Sequence, residues 1–228
     1  MDDSYVFVDE DVRTGVALIS VDQVGENSIL AVYGANLTGQ SEQENAAKRA
    51  LEGADFVLLQ NEVPNELNVL VANYAKSNNI PVFWDPAPAN ANAVELMKLC
   101  SYITPNHLEA EALIGMNIRK PEDAIVACNK IINMTDGEVV PFITLGSDGV
   151  VFISEGSPRI LHSFSVETID TVAAGDAFVA GLAVAISEQD KSILECCRFA
   201  NAVAALSVTR RGAQDSMPMR NEVDEFLK

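Results

Sequence analysis

Positive charge is scarce in this chain. Fifteen Lys and Arg stand against 33 Asp and Glu in 228 residues, a formal net charge of −18. A surface of that sign repels phosphate backbones and anionic headgroups, which argues against nucleic-acid and membrane-surface partners. Histidine is almost missing, and His107 and His162 have no metal-ligand spacing with each other or with cysteine. Cys100, Cys128, Cys196 and Cys197 make no CxxC pair, and the two adjacent thiols cannot easily bridge each other. Buried free thiols in a reducing compartment are expected. The start, MDDSYVFVDED, lacks a basic region followed by an apolar run. No window of about 18 apolar residues offers a membrane span. A cytoplasmic location follows as an expectation. No internal repeat, low-complexity tract or linker divides residues 1–228, so one domain is expected.

What is present is a chain 48% apolar and able to build a large core. Gly15–Val21 and Ser28–Tyr33 are apolar runs of strand length, with Gly25–Asn27 between them as a hairpin turn. Ser41 with Glu44 three residues on reads as a capping box opening a helix. Strands and helices then alternate. Strands are expected at Phe56–Gln60, Ile80–Asp85, Tyr102–Thr104 and Val139–Leu145, with Gly149–Ser154 and Ile160–Phe164 pairing at an antiparallel edge. Helices are expected at about Pro64–Ser77, near Asn92–Leu99, from His107, at Pro121–Met134, Asp176–Ser187 and Lys191–Val208, and near Met219. Such alternation predicts an α/β fold with a largely parallel sheet covered by helices on both faces. Ligands of these folds sit beyond the carboxyl ends of the strands, where chemically suggestive residues are to be sought.

The segment Asp170-Thr-Val-Ala-Ala-Gly-Asp176 joins a strand-like end to a helix. A helix start exposes unpaired N–H groups and the positive end of its dipole. Ala173, Ala174 and Gly175 carry no side chain that would keep an oxyanion away, so they form a candidate cradle for a phosphate or a transition state. Asp176 beside them is a candidate proton acceptor for a hydroxyl nucleophile. An ordinary strand–helix turn with Asp in its first turn has the same composition.

Asp170–Phe178 and Ala180-Gly-Leu182 resemble the C-terminal signature of the ribokinase-like (PfkB) carbohydrate kinases. Asn106-His-Leu-Glu109 resembles that family's Asn-x-x-Glu motif, and Thr144-Leu-Gly146-Ser-Asp-Gly149 its nucleotide-contacting strand end. Trp84–Ala89 (WDPAPA) and the stretch from Phe199-Ala-Asn201 to Ser207–Ser216 resemble further parts, favouring the ribose-specific branch over adenosine kinase or fructokinase relatives. The resemblance implies the three-layer α-β-α fold of that family and ATP-dependent phosphorylation of a sugar, with D-ribose giving D-ribose 5-phosphate and ADP. It makes Asp176 the general base, and the N–H groups of Ala173, Ala174 and Gly175 the anion hole. Asn106 and Glu109 would organise Mg²⁺ and phosphate through water, although Asn followed by Glu three residues on is also a capping box. Thr144, Gly146, Gly149 and Asn201 would line the nucleotide; a strand-end turn and a helix-surface amide are their plainer readings. Glu62 would contact the sugar, or is simply solvated. K⁺ would be held by Asp170 and Ser216 side chains with the carbonyls of Val172, Ser207, Arg210 and Gly212, where Gly212 also suits a helix C-cap.

The resemblance begins at about Gly15. The family's first segment, with much of its lid and a Gly-Gly loop gripping the sugar, is not found, and no Gly-Gly dipeptide occurs in this sequence. A truncated form with a partial lid is therefore expected, with sheet edges that a partner or a second copy in a homodimer would cover. Two alternatives stand beside the ribose-phosphorylating reading. One is a catalytically impaired nucleotide-binding or interaction module, the other a kinase of another sugar or of a nucleoside.

Overall fold

The computed structural model describes residues 3–21, 27–38, 40–90 and 94–228. Strands β1 (Thr14–Val21) and β2 (Asn27–Gly34) pair antiparallel as a two-stranded sheet of their own. The expected turn between them lies largely outside the described residues. A 3-10 turn at Ala35–Leu37 leads on to α1 (Gln40–Ala50). That helix already includes Ser41, so the expected capping box at Ser41 and Glu44 lies inside the helix, and Ser41 is not its cap.

The second sheet has six strands in chain order. These are β3 (Val57–Leu59), β4 (Val82–Trp84), β5 (Tyr102–Ile103), β6 (Val140–Thr144), β7 (Val150–Ser154) and β8 (Ser157–Leu161). The first four run parallel, and β7 and β8 turn antiparallel at one edge. The last strand runs over Ser157–Leu161 where Ile160–Phe164 was expected. Glu155 and Gly156 both take positive φ (52° and 71°), closing a two-residue hairpin loop that restarts the strand at once.

Helices α2 (Asn65–Ser77), α3 (Val94–Met97), α4 (His107–Ile114) and α5 (Pro121–Met134) pack on one face. Helices α6 (Ala174–Ser187), α7 (Ile193–Ser207) and α8 (Arg220–Phe226) pack on the other. The strands show why two layers of helices are needed. In β4, Val82 and Trp84 join the first core while Phe83 joins the second. In β7, Val151 joins the first while Val150 and Phe152 join the second. A side-chain period of two with apolar residues on both faces demands cover on both faces. Phe56, Phe83, Tyr102, Phe142 and Phe152 form an aromatic row under α6 and α7, neighbouring rings 5.5 to 6.5 Å apart. Burying such a ring contributes roughly 1.5–3 kcal/mol.

Local signals set the helix ends. Asn106 and Glu109 close a capping box on α4, and Gly115 ends it in the left-handed region. Ser192 and Glu195 do the same at the start of α7. All four cysteines are free and buried. Among the described residues, no helix is long and apolar enough to cross a membrane.

Candidate active site

The entrance to α6 is held from behind. Asp170 Oδ1 accepts the Val172 N–H and Oδ2 the Gly212 N–H, each at 3.0 Å. These two bonds, Gly212 first, hold its carboxyl below the usual carboxylate range. The N–H groups of Ile169 and Asp170 both donate to the Val208 carbonyl at the end of α7. The chain then turns through Ala173, which sits in the left-handed region at φ 61°, ψ 16°. For alanine that conformation carries a cost, and non-glycine residues kept there concentrate at functional turns.

A left-handed residue leading into a helix makes successive N–H groups converge, a concavity suited to anions. Ala174 N–H makes a long turn bond to Thr171 O (3.3 Å). The N–H groups of Ala173, Gly175 and Asp176 meet no hydrogen-bond acceptor among the described residues. Gly175 has ordinary helical backbone, and a Cβ built on it would meet nothing within 4 Å. Packing does not demand glycine there, while glycine costs a helix about 1 kcal/mol relative to alanine. The open space beside it is the feature that a ligand would use. Asp176 follows, exposed in the first turn.

Beside this turn lies a cavity of about 540 Å³, a size ordinary for a cofactor-sized ligand. Thr144, Gly146 and Gly149 from the end of β6 form one wall, Ala174 and Gly175 an end, and Asn201, Ala204 and Val208 a floor. Gly149 is required by the backbone: at φ 99° a Cβ would fall 2.0 Å from the Leu161 carbonyl oxygen. Asn201 is only 5% exposed, and its amide donates to the carbonyls of His162 (3.2 Å) and Leu161 (3.4 Å). It thus ties the chain after β8 to α7 as well as lining the cavity.

Asn106 bridges to Thr144 at the strand ends, so the two motifs adjoin. Asn106 Oδ1 accepts the Glu109 N–H (2.9 Å), and Glu109 Oε2 accepts the Asn106 N–H (2.7 Å). Glu109 is buried, and that burial pushes its carboxyl up. Asp85, directly after β4, is a third acid in this region. Burial first, then the charges of Glu109 and Asp176, push its carboxyl up to about 7. The motif WDPAPA contains Asp85, yet sequence reasoning did not single it out. The available signal was an acid at the carboxyl end of a wholly apolar strand.

The remaining expected residues are placed less centrally. Glu62 lies exposed on the loop after β3, which leans on the 87–88 segment through Asn61 N–H to Ala87 O (2.8 Å) and Asn61 Nδ2 to Pro88 O (2.9 Å). The structure does not bring it into the cavity wall, and its carboxylate has no partner among the described residues. For the monovalent site, Asp170 joins Val172 and Gly212 directly. Ser207 and Ser216 are fully buried; the Ser207 carbonyl accepts the Arg210 N–H (3.1 Å), and the Ser216 hydroxyl donates to Ala213 O (2.7 Å). The expected ligands are all oxygens, the donor type that a large, weakly hydrated cation takes, and both Asp170 oxygens are already bonded to backbone N–H groups. Among the described residues, no group of three His, Cys, Asp or Glu is disposed to hold a metal ion. An Mg²⁺ site here would therefore rest on fewer carboxylates completed by water and phosphate oxygens, which is that ion's habit.

Comparison with known proteins agrees with this geometry. The family model for pfkB family carbohydrate kinases matches residues 1–220, taking in the residues ahead of Gly15 as well. A ribokinase of Haemophilus influenzae is 40% identical over 94% of this chain and 69% of its own length. The crystal structure of a ribokinase from Thermotoga maritima superposes with a TM-score of 0.80 at 37% identity, covering 95% of this chain and 70% of that one. An Arabidopsis thaliana ribokinase complexed with ribose and ATP superposes with a TM-score of 0.79 at 32% identity, covering 96% and 70%. With its sheet order, its two helical layers and a family match over nearly its whole length, this chain belongs to the pfkB family of carbohydrate kinases, enzymes that transfer phosphate to a sugar hydroxyl.

Proposed function

We propose that the chain is a ribokinase, converting ATP and D-ribose to D-ribose 5-phosphate and ADP. One observation carries this reading: at the α6 entrance three N–H groups are without acceptors among the described residues, Gly175 leaves open space at the cavity's end, and Asp176 follows it directly in the chain. ATP fits the cavity with its base toward Asn201 and Gly149 and its phosphates toward Ala174 and Gly175. Asp176 takes the proton of the sugar's primary hydroxyl as that oxygen bonds to the γ-phosphorus. The bond from phosphorus to the ADP oxygen breaks, and ADP leaves with that electron pair. The N–H groups of Ala173, Gly175 and Asp176 stabilise charge on the equatorial oxygens without reorganising, which is where such catalysis draws most of its power.

Mg²⁺, held through Glu109 and Asn106 by way of water, would neutralise charge between the β- and γ-phosphates. The oxygens of Asp170, Val172, Ser207, Arg210, Gly212 and Ser216 would hold K⁺ behind the same turn. Glu62 would face the sugar. One domain, a cytoplasmic location and a homodimer belong to the same reading; sedimentation at several concentrations checks the last.

The test is a coupled ADP-release assay with Mg·ATP and K⁺, run with ribose, other pentoses, fructose and nucleosides. Ribose-dependent release supports the proposal. Release with another acceptor only would move the assignment within the family. Nucleotide binding by calorimetry with no response to any acceptor would overturn a catalytic role for this chain.

A further inference from the structure

The stretch that holds the α6 entrance from behind, residues 208–215, has no apolar anchor of its own. Its apolar residues Val208 and Ala213 join neither core, and Arg211, Ala213, Gln214 and Asp215 are exposed. Polar bonds therefore decide where it sits. Some of them run to the turn before α6. Val208 O accepts the N–H groups of Ile169 (2.8 Å) and Asp170 (3.2 Å), and Asp170 Oδ2 accepts the Gly212 N–H (3.0 Å). Asp170 Oδ1 in turn accepts the Val172 N–H, so a shift of residues 209–212 carries Asp170, Val172 and the left-handed Ala173 with it.

Arg210 attaches this stretch to something that cannot follow. Its Nη2 donates to Glu222 Oε1 at 2.5 Å and its Nη1 to Glu222 Oε2 at 3.4 Å. Two prongs fix the angle between guanidinium and carboxylate as well as their distance. Glu222 Oε2 also accepts the Met219 N–H (2.7 Å) at the start of α8. The next residue, Val223, is 1% exposed in the second core, so the carboxylate is mounted on a fixed element. The paired side chains are 35% and 37% exposed, and water screens much of their attraction. What the pair supplies is chiefly geometry.

We propose that Glu222 is a positioning residue for the anion turn: through the Arg210 fork it holds residues 208–212 against Asp170, and so sets how the N–H groups of Ala173, Gly175 and Asp176 are aimed. The effect on turnover rests on the kinase reading; the mechanical link does not.

Two measurements on the full chain test it. Amide exchange by NMR, without nucleotide or sugar, follows the Gly212 and Val172 N–H groups. Glu222→Gln keeps one oxygen for the Met219 cap and loses the charge and one prong of the fork. Both amides should then exchange about two- to fivefold faster, the scale of an ion pair of this exposure, while buried α6 amides such as Leu182 keep their rates. Kinetics with Mg·ATP and ribose should show kcat lowered by a similar factor and both KM values unchanged, because the disturbed groups act on transition-state charge. Arg220→Gln is the control. It removes the α8 ion pairs to Glu188 and Asp224 and should change neither readout, whatever it does to Tm. Arg210→Met combined with Glu222→Gln should be no worse than Arg210→Met alone. Unchanged Gly212 exchange in Glu222→Gln, a raised KM with kcat kept, equal effects from Arg220→Gln, or additive effects in the double variant would each overturn the proposal. If Glu222→Gln does not fold, Arg210→Lys carries the test: it keeps the charge without the fork, and faster Gly212 exchange supports the link while unchanged exchange overturns it. Ribose-dependent turnover with unchanged exchange sinks this link alone; absence of turnover with faster exchange sinks the ribokinase assignment alone.

Discussion

Helix α6 contains two glycines within two turns of each other, kept for opposite reasons. At Gly181 a Cβ would sit 2.9 Å from Val203 Cγ2 and 3.1 Å from Ala200 Cα, so α6 and α7 approach too closely for any side chain. At Gly175 it would meet nothing. Glycine within a helix is less favourable than alanine, most of all in its interior. In the middle of the helix the cost is offset by tight helix–helix packing. In the first turn nothing inside the protein offsets it, and the compensation must come from outside the chain. Part of α6 is therefore scaffold and part is site, and the boundary falls at the first buried residue, Ala177.

That division can be attacked directly. The largest expected effect is at the site end: Asp176→Asn should lower sugar-dependent turnover by about 10²–10⁴-fold, the usual range for a general base, with ATP affinity by calorimetry nearly unchanged. Gly175→Ala should be as stable as wild type, or slightly more so, yet lose on the order of 10²-fold in turnover because a methyl group displaces the phosphate. Equal turnover in that variant would erase the distinction between the two glycines. Gly181→Ala should do the reverse, costing about 1–3 kcal/mol by denaturant unfolding through overpacking, with turnover of the folded fraction retained. The smallest effect is expected of Ala173→Gly. It relieves a left-handed alanine worth roughly 1 kcal/mol while gaining unfolded-state entropy of similar size, leaving stability within about 1 kcal/mol of wild type. A large loss there would mean that the turn's shape depends on the methyl group.

Much of the frame is legible in the sequence because period-two apolar strands and capped helices are local patterns. The boundaries that shifted did so for local reasons. Helix α7 begins after Ser192, whose hydroxyl and Glu195 partner mark its start more firmly than hydropathy does. Strand β8 takes in exposed Pro158 and Arg159 since an edge strand tolerates both, whereas an apolar pattern points to the residues after Ile160. The α6 turn is legible from its run of small residues, but the left-handed backbone of Ala173 is not, because nothing in an alanine side chain signals it. Asp85 carries a local signal, but its neighbours across the sheet do not: the pairing of β4 with β5 is a register between strands separated by a whole helix, and such lateral pairings are set by tertiary packing.

The β1–β2 hairpin stands apart from the six-stranded sheet. Val16, Leu18, Leu30 and Val32 lie about 60% exposed on one face, with Ile19 and Ile29 open on the other. A ribbon that is oily on both sides behaves as an adhesive tab: in concentrated solution it is the place where molecules first stick, and one acidic residue at Leu18 or Leu30 should keep preparations clear without touching the cavity.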